Sequence, residues 1–411
     1  MTELIDIQNK ENNVRKIIQN IDSGITKNGL FQEDNCFELT SDQESAIILI
    51  LEWYKSKDQK PWKPYYVLSG AAGTGKSSLI QYIIKNLKVS ETDTLCCAFT
   101  GKAALNLNRK GNISATLHSS IYNFVKKSKS GDLEFELKSH IPYKLIIVDE
   151  ASMISKDLFD DILSFGIPTI FIGDHCQLPP IDSHFNIMLS PDFTLTKIMR
   201  QAKESPIIRA SQLAIKGMPI PYCNFKGFKK IKKENLEDSD FLWADQIIVG
   251  TNSVRKAINS ICREIRGIDS QVPLKGERMI VLKNNRKYGV FNGQIVYLES
   301  NPEFIRSNST WSCEWADEHE KTDALAAITG RSKTFNFVLK DPFIGKSTNL
   351  DALRDRVYLD YGYAISCHKS QGSGWNKVLV FDEDFGRDED TKRRWLYTAI
   401  TRAKKEIMIV K

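Results

Sequence analysis

From Phe37 onward the chain alternates short apolar runs with stretches of helical periodicity. The runs Tyr65–Ser69, Thr94–Phe99, Leu145–Val148 and Thr169–Ile172 are nearly continuous rather than alternating, the pattern of parallel strands buried on both faces. Between the second and third lies YNFVKKSKSGDLEFELKSH. There Leu133, Phe135 and Leu137 alternate with Glu134, Glu136 and Lys138 after a Ser-Gly turn, which predicts an inserted β-hairpin at about 122–140. A second α/β region begins near Ser190. Gln246–Val249, Val378–Phe381 and Ile407–Val410 read as strands, and Val254, Ile258, Ile261 and Ile265 give residues 253–266 helical spacing. A strand-rich segment interrupts it: MIVL, an Asn-Asn turn, FNGQIVYL and TFNFVL predict a small β-barrel insertion.

The expected organisation is therefore a polar extension at 1–36, a first α/β core at 37–189 carrying the 122–140 hairpin, a second at 190–279 and 352–411, and an insertion at 280–351. Two α/β cores without a sequence repeat suggest structural duplication. Length agrees: 411 residues exceed the roughly 250–300 at which single cores stop growing. With 41% hydrophobic and 26% charged residues the composition is that of an ordinary globular protein. No apolar run approaches the ~20 residues of a membrane span. The start, MTELIDIQNKENNVRK, lacks a secretory pattern, so we expect a cytoplasmic protein. The eight cysteines form no C-x-x-C pair, which argues against structural zinc and a disulfide framework. A net charge of +6 permits a polyanionic partner without selecting one. The run NFKGFKKIKK interleaves cations and aromatics, but a charge run is usually a solvated face and receives no site here.

The chemistry begins where the strand YYVLS runs into Gly70, Ala71, Ala72, Gly73, Thr74, Gly75, Lys76 and Ser77. A helix follows, its apolar face at 79, 80, 83, 84 and 87. Sequence and context match a P-loop. The glycines let backbone N–H groups curl around phosphate, Lys76 reaches the β- and γ-phosphates, and Ser77 Oγ ligates magnesium. The strand KLIIVD ends in Asp149 and Glu150, one carboxylate for magnesium and one to polarise the attacking water. The cofactor pair expected is ATP with Mg2+.

One strand later stands GDHCQLPP. Taken with the P-loop, DEAS, SCHKSQGSGW and YTAITRAKKE, the chain resembles superfamily 1B helicases of the RecD/Dda-like group over roughly residues 37–411. The resemblance implies two RecA-like P-loop domains with parallel sheets, a strand-separating pin in the hairpin and an SH3-like insertion. It implies that Gln177 senses the γ-phosphate, that Arg200 and Arg402 act as fingers from the second core, that Gln43 reads adenine and that Gly372 reaches the nucleotide. It places Thr100, Lys102, Thr116 and His118 on the first core's strand-binding face. Thr251, Asn252, His368, Lys369, Ser370 and Gln371 take that role on the second, with Phe124 or Phe135 stacking at the junction. The implied activity is an ATP-dependent DNA helicase moving 5′ to 3′, a monomer whose partners are single-stranded DNA and single/double-strand junctions, with replication or recombination proteins beside them. An RNA-directed helicase, a translocase that displaces proteins without unwinding, and a scaffold with an inactive ATPase are the rivals.

Overall fold

The computed structural model describes residues 39–100, 103–104, 107, 114–125, 134–180, 185–199, 204–283, 285, 288, 290, 292–305, 310–317, 333–339 and 356–411. The extension expected at 1–36 and the expected site residues Lys102 and Arg200 lie outside them. The first core contains β1 (Tyr65–Gly70), β2 (Thr94–Ala98), β3 (Ser114–Thr116), β4 (Tyr122–Val125), β5 (Glu134–Leu137), β6 (Leu145–Asp149), β7 (Thr169–Gly173) and β8 (Phe193–Leu195). Six of these form a parallel sheet ordered β3-β2-β6-β7-β1-β8. Leu68, Cys96, Ile147 and Ile170 face the helices Ser41–Lys55 and Leu79–Leu87. Their alternates Val67, Leu95, Ile146 and Phe171 face helix Lys156–Ser164. Both faces are covered, which is why these strands read as unbroken apolar runs.

β8 lies past the boundary expected at 189. It belongs to the first sheet because β1, the P-loop strand, takes its outer neighbour there: Leu68, Ser69 and Gly70 register with Phe193, Thr194 and Leu195. β4 and β5 pair antiparallel with Phe124 opposite Phe135, so the inserted hairpin is present. The side chains of both phenylalanines lie outside the described residues.

The second core opens with β9 (Cys223–Phe225), β10 (Phe228–Ile231) and β11 (Gln246–Val249). An antiparallel insertion follows, with β12 (Arg278–Val281), β13 (Ile295–Leu298), β14 (Glu303–Ile305), β15 (Thr310–Asp317), β16 (Lys333–Leu339) and β17 (Val357–Tyr361). The chain then returns to the core through β18 (Ala364–Ser366), β19 (Trp375–Phe381) and β20 (Ala403–Val410). The second sheet is ordered β18-β11-β19-β20-β10-β9, parallel except at the β9–β10 edge. That edge is NFKGFKKIKK: Phe228 is buried, Phe225 is exposed, and Lys226 stands over the Phe225 ring.

In the insertion, β13 pairs with both β12 and β15, closing a five-stranded barrel β13-β12-β17-β16-β15 with β14 added outside. The barrel is wider than 280–351, since it starts at Arg278 and needs β17 to join β12 to β16. The helical segment predicted at 253–266 is Asn252–Ile265, capped by the Thr251 side chain, which accepts the Val254 N–H. Its buried face carries Ile258, Asn259 and Cys262, while Ile261 is 37% exposed. Asn259 replaces it in the core by pairing with the β18 backbone, accepting from Ala364 N at 2.9 Å and donating to Ala364 O at 3.1 Å. A polar residue on the inner face hid the true helical stripe. Among the described residues no helix is long and apolar enough to cross a membrane.

Candidate active site

The carboxyl ends of β1, β7 and β6 lie side by side; β1 and β6 end in Gly70 and Asp149 of the expected nucleotide site, and β7 ends in Gly173, the start of GDHCQLPP. That is where open parallel sheets bind ligands. Gly73 and Gly75 have φ of 82° and 78°, a region side-chain-bearing residues rarely enter. At Gly75 a Cβ would meet Gln43 Nε2 at 2.5 Å and Met199 Sδ at 2.7 Å, so the loop is close-packed as well as tightly turned. Lys76 Nζ donates to the carbonyls of Gly70 at 2.5 Å and Ala71 at 2.9 Å, and lies 4.0 Å from Asp174 Oδ2. Thr74 is buried and donates to Ala71 O. Gln43 is buried beside the loop. It donates to Thr74 O at 3.0 Å and accepts the Thr40 N–H at 2.9 Å, so its amide fixes the loop to the start of helix Ser41–Lys55.

Asp149 is buried at the end of β6, and Glu150 follows in the left-handed region at φ 55°. Burial first, and then the neighbouring Asp149 charge with a contribution from Asp174, raise the Glu150 carboxyl above its ordinary value. Arg402 and Lys76 pull the other way. Three charged groups of the expected site, together with Asp174, thus act on one carboxyl. Gln177 is 5% exposed, and its Oε1 has no hydrogen-bond partner among the described residues. A buried acceptor without a donor is costly, and on the segment of Asp174, which stands 4.0 Å from Lys76 Nζ, such a group fits a ligand or its water. The hard oxygens of Ser77 and Asp149 and the P-loop glycines fit a magnesium-bound nucleotide.

The second core covers this site with helix Glu389–Ile400. The Tyr397 hydroxyl accepts from Ala72 N at 2.7 Å and donates to Asp174 Oδ2 at 2.7 Å. Thr398 Oγ1 accepts from Leu178 N at 3.0 Å, and Arg394 donates to the His175 carbonyl. Gln371 Nε2 donates to Leu178 O at 3.0 Å. Arg402 is buried, and its guanidinium bonds to Thr398 O, Ser373 O and Thr401 Oγ1, which fixes its direction within its own core. Gly372, at φ 70°, abuts the first core: a Cβ there would meet Thr100 Oγ1 and Ala103 Cβ, each at 2.9 Å.

The chain is similar to known proteins in sequence and in fold. Residues 59–232 match the AAA domain, and residues 361–410 match the UvrD-like helicase C-terminal domain. The chain is 25% identical over 366 residues to the ATP-dependent RecD2 DNA helicase of Deinococcus radiodurans, covering 84% of this chain and 47% of that protein. It is 31% identical over 189 residues to the ATP-dependent DNA helicase Dda of Enterobacteria phage T4, covering 42% of this chain and 41% of that one. The crystal structure of Bacteroides Pif1 bound to ssDNA has the same fold, with a TM-score of 0.56 at 19% identity over 91% of this chain and 92% of that one. In sequence the chain is thus similar to the RecD2 and Dda helicases, and in fold to Pif1. It spans less than half the length of these two curated relatives.

The residues that superfamily 1B resemblance assigns to the strand fall into two groups. Several hydroxyls have internal work. Thr116 is buried and caps helix Leu117–Ile121, Thr251 caps helix Asn252–Ile265 and donates to Glu383 Oε2 at 2.8 Å, and Ser370 is buried and donates to Cys367 O. Thr100 Oγ1 accepts from Ala103 N. His118 packs against Phe99 and Tyr122, and His368 against Phe385; burial lowers the pKa of both. Lys369 and Asn252 are exposed. Sequence reasoning missed Asp174, Arg394, Tyr397 and Thr398. The signal was present in the spacing: 394, 397, 398 and 401 share one helix face, an odd place for polar groups on a helix that also buries Trp395 and Ile400.

Proposed function

We propose that the chain is an ATP-dependent DNA helicase that translocates on single-stranded DNA, 5′ to 3′, and unwinds duplex ahead of it. The observation that carries this reading is the meeting of P-loop, paired carboxylates and Gln177 on one core with the helix bearing Arg402 on the other, joined by the Tyr397 and Gln371 bonds. In it, Lys76 and the loop amides hold the β- and γ-phosphates, and Ser77 and Asp149 hold the magnesium. Magnesium held there would supply positive charge against the charge developing on the phosphate oxygens. Glu150 orients and deprotonates the attacking water. Arg402 carries its charge at any working pH and is prealigned by carbonyls of its own core, so its approach depends on how the two cores sit. Hydrolysis then depends on cleft closure, and closure alters the grip on the strand through the segment 368–372.

Strand displacement tests the whole reading: partial duplexes with a 5′ or a 3′ single-stranded tail, ATP and magnesium. Displacement from the 5′-tailed duplex is expected, with Lys76→Ala inactive. DNA-stimulated ATP hydrolysis that survives in Lys76→Ala would overturn the site, and displacement confined to 3′ tails would overturn the direction.

A further inference from the structure

Tyr397 is 1% exposed, and its ring packs in the second core while its oxygen reaches the first. That oxygen takes the Ala72 N–H and gives its own proton to Asp174 Oδ2, both at 2.7 Å. Asp174 is fully held: its other oxygen accepts from Cys176 N at 2.9 Å, and Oδ2 also stands 4.0 Å from Lys76 Nζ. One phenol therefore touches a P-loop amide, and through one carboxylate it faces the P-loop lysine. We propose that Tyr397 is a positioning residue through which phosphate binding in the P-loop and the hold between the two cores compete for a single donor, the Ala72 N–H.

This inference rests on reading the P-loop as an ATP site. An amide has one proton and makes one good hydrogen bond at a time. A phosphate oxygen that takes the Ala72 N–H releases the Tyr397 oxygen from the loop and leaves it bonded to Asp174 alone. Helix Glu389–Ile400 then loses its direct tie to the P-loop, and that helix leads directly into Arg402. The phenol remains a donor throughout, since burial and the Asp174 charge push its pKa well above the ordinary tyrosine value. Thr398, the next residue, offers an internal comparison: its hydroxyl ties the same helix to Leu178 N without touching the loop.

Tyr397→Phe keeps the ring and removes the oxygen. Calorimetric titration of the full chain with magnesium and AMPPNP is expected to show roughly three- to tenfold tighter binding in this variant, the range of one hydrogen bond removed from the competing side. The stimulation of ATP turnover by an oligothymidine strand is expected to fall by a similar factor, roughly three- to tenfold, because the cores no longer read the loop. Thr398→Val is expected to lower the melting temperature and leave AMPPNP affinity within about twofold of wild type. Binding by Tyr397→Phe that is unchanged or weaker, or two variants that behave alike, overturns the proposal. AMPPNP binding and DNA-stimulated turnover by the wild-type chain report separately on the ATP reading, so failure of one is distinguishable from failure of the other.

Discussion

Gln371 donates from Nε2 to the carbonyl of Leu178 at 3.0 Å, and both residues are buried. The segment proposed to grip the strand is thereby bonded to the residue directly after Gln177, the proposed γ-phosphate sensor. On the proposed reading, a hydrogen bond between these two segments would give strand and nucleotide a physical route by which to act on one another.

Gln371→Ala leaves the Leu178 carbonyl buried without this donor, at a cost of about 1–3 kcal/mol. The expected outcome is a loss of roughly tenfold in single-strand-stimulated ATP turnover, the equivalent of ~1.4 kcal/mol, with turnover in the absence of DNA nearly unchanged. Steady-state hydrolysis with and without an oligothymidine strand checks it. An equal fall in both rates would mean that the bond is structural support and not coupling.

Asp42 supports the other side of the nucleotide loop. Its Oδ2 accepts from Thr196 N, Thr196 Oγ1 and Lys197 N, and two residues further Met199 N donates to Gly73 O. Burial opposes ionisation of Asp42, but the Thr196 side chain, the Thr196 and Lys197 amides and the Lys197 charge outweigh it, so its pKa is lowered. A lowered carboxylate pKa stabilises the fold fully above the ordinary aspartate value of about 4, and this is lost as pH falls through the depressed value. Asp42→Ala is therefore expected to cost about 2 kcal/mol at pH 7. In denaturant melts the gap from wild type narrows below about pH 4. A gap that is constant with pH would show that the charge of Asp42 does not stabilise this segment.

Much of the fold was legible because its strands are buried on both faces and its turns carry their own chemistry. The P-loop could be read residue by residue, since Gly73 and Gly75 need their conformations whatever surrounds them. The boundaries were not legible in the same way. Whether Phe193–Leu195 joins the first sheet depends on β1 lacking an outer neighbour, and whether Val357–Tyr361 belongs to the barrel depends on β12 and β16 needing a strand between them. Those are demands of pairing partners distant in sequence. The contacts of Tyr397 and Asp174 were hidden for a related reason: each residue is ordinary on its own helix or strand and acquires a role when the two cores meet. Thr116 and Thr251 show the converse, motif residues whose hydroxyls are committed to caps.

Glu150→Gln keeps the shape of the side chain and removes its capacity to take a proton. If Glu150 is the general base, ATP turnover falls by about 10²- to 10⁴-fold while Mg-AMPPNP affinity stays near wild type. Paired turnover and binding measurements separate the two. A loss of binding with little change in maximal turnover would assign Glu150 to holding the nucleotide instead.

The hairpin of β4 and β5 sets Phe124 directly across from Phe135 on an insertion that forms no part of the first core's sheet. Its strands pair only with each other among the described residues. Stacking of an aromatic ring on a base contributes about 1–3 kcal/mol. Replacing both phenylalanines by alanine is therefore expected to slow duplex unwinding by about tenfold or more. Single-strand-stimulated ATP turnover, which needs the motor and its track but no junction, should remain within about twofold. Rates measured on a 5′-tailed duplex and on a single strand of the same length decide the matter. A parallel loss of both would place the two rings in the packing of the hairpin, and unwinding that survives intact would move the point of strand separation to another part of the chain.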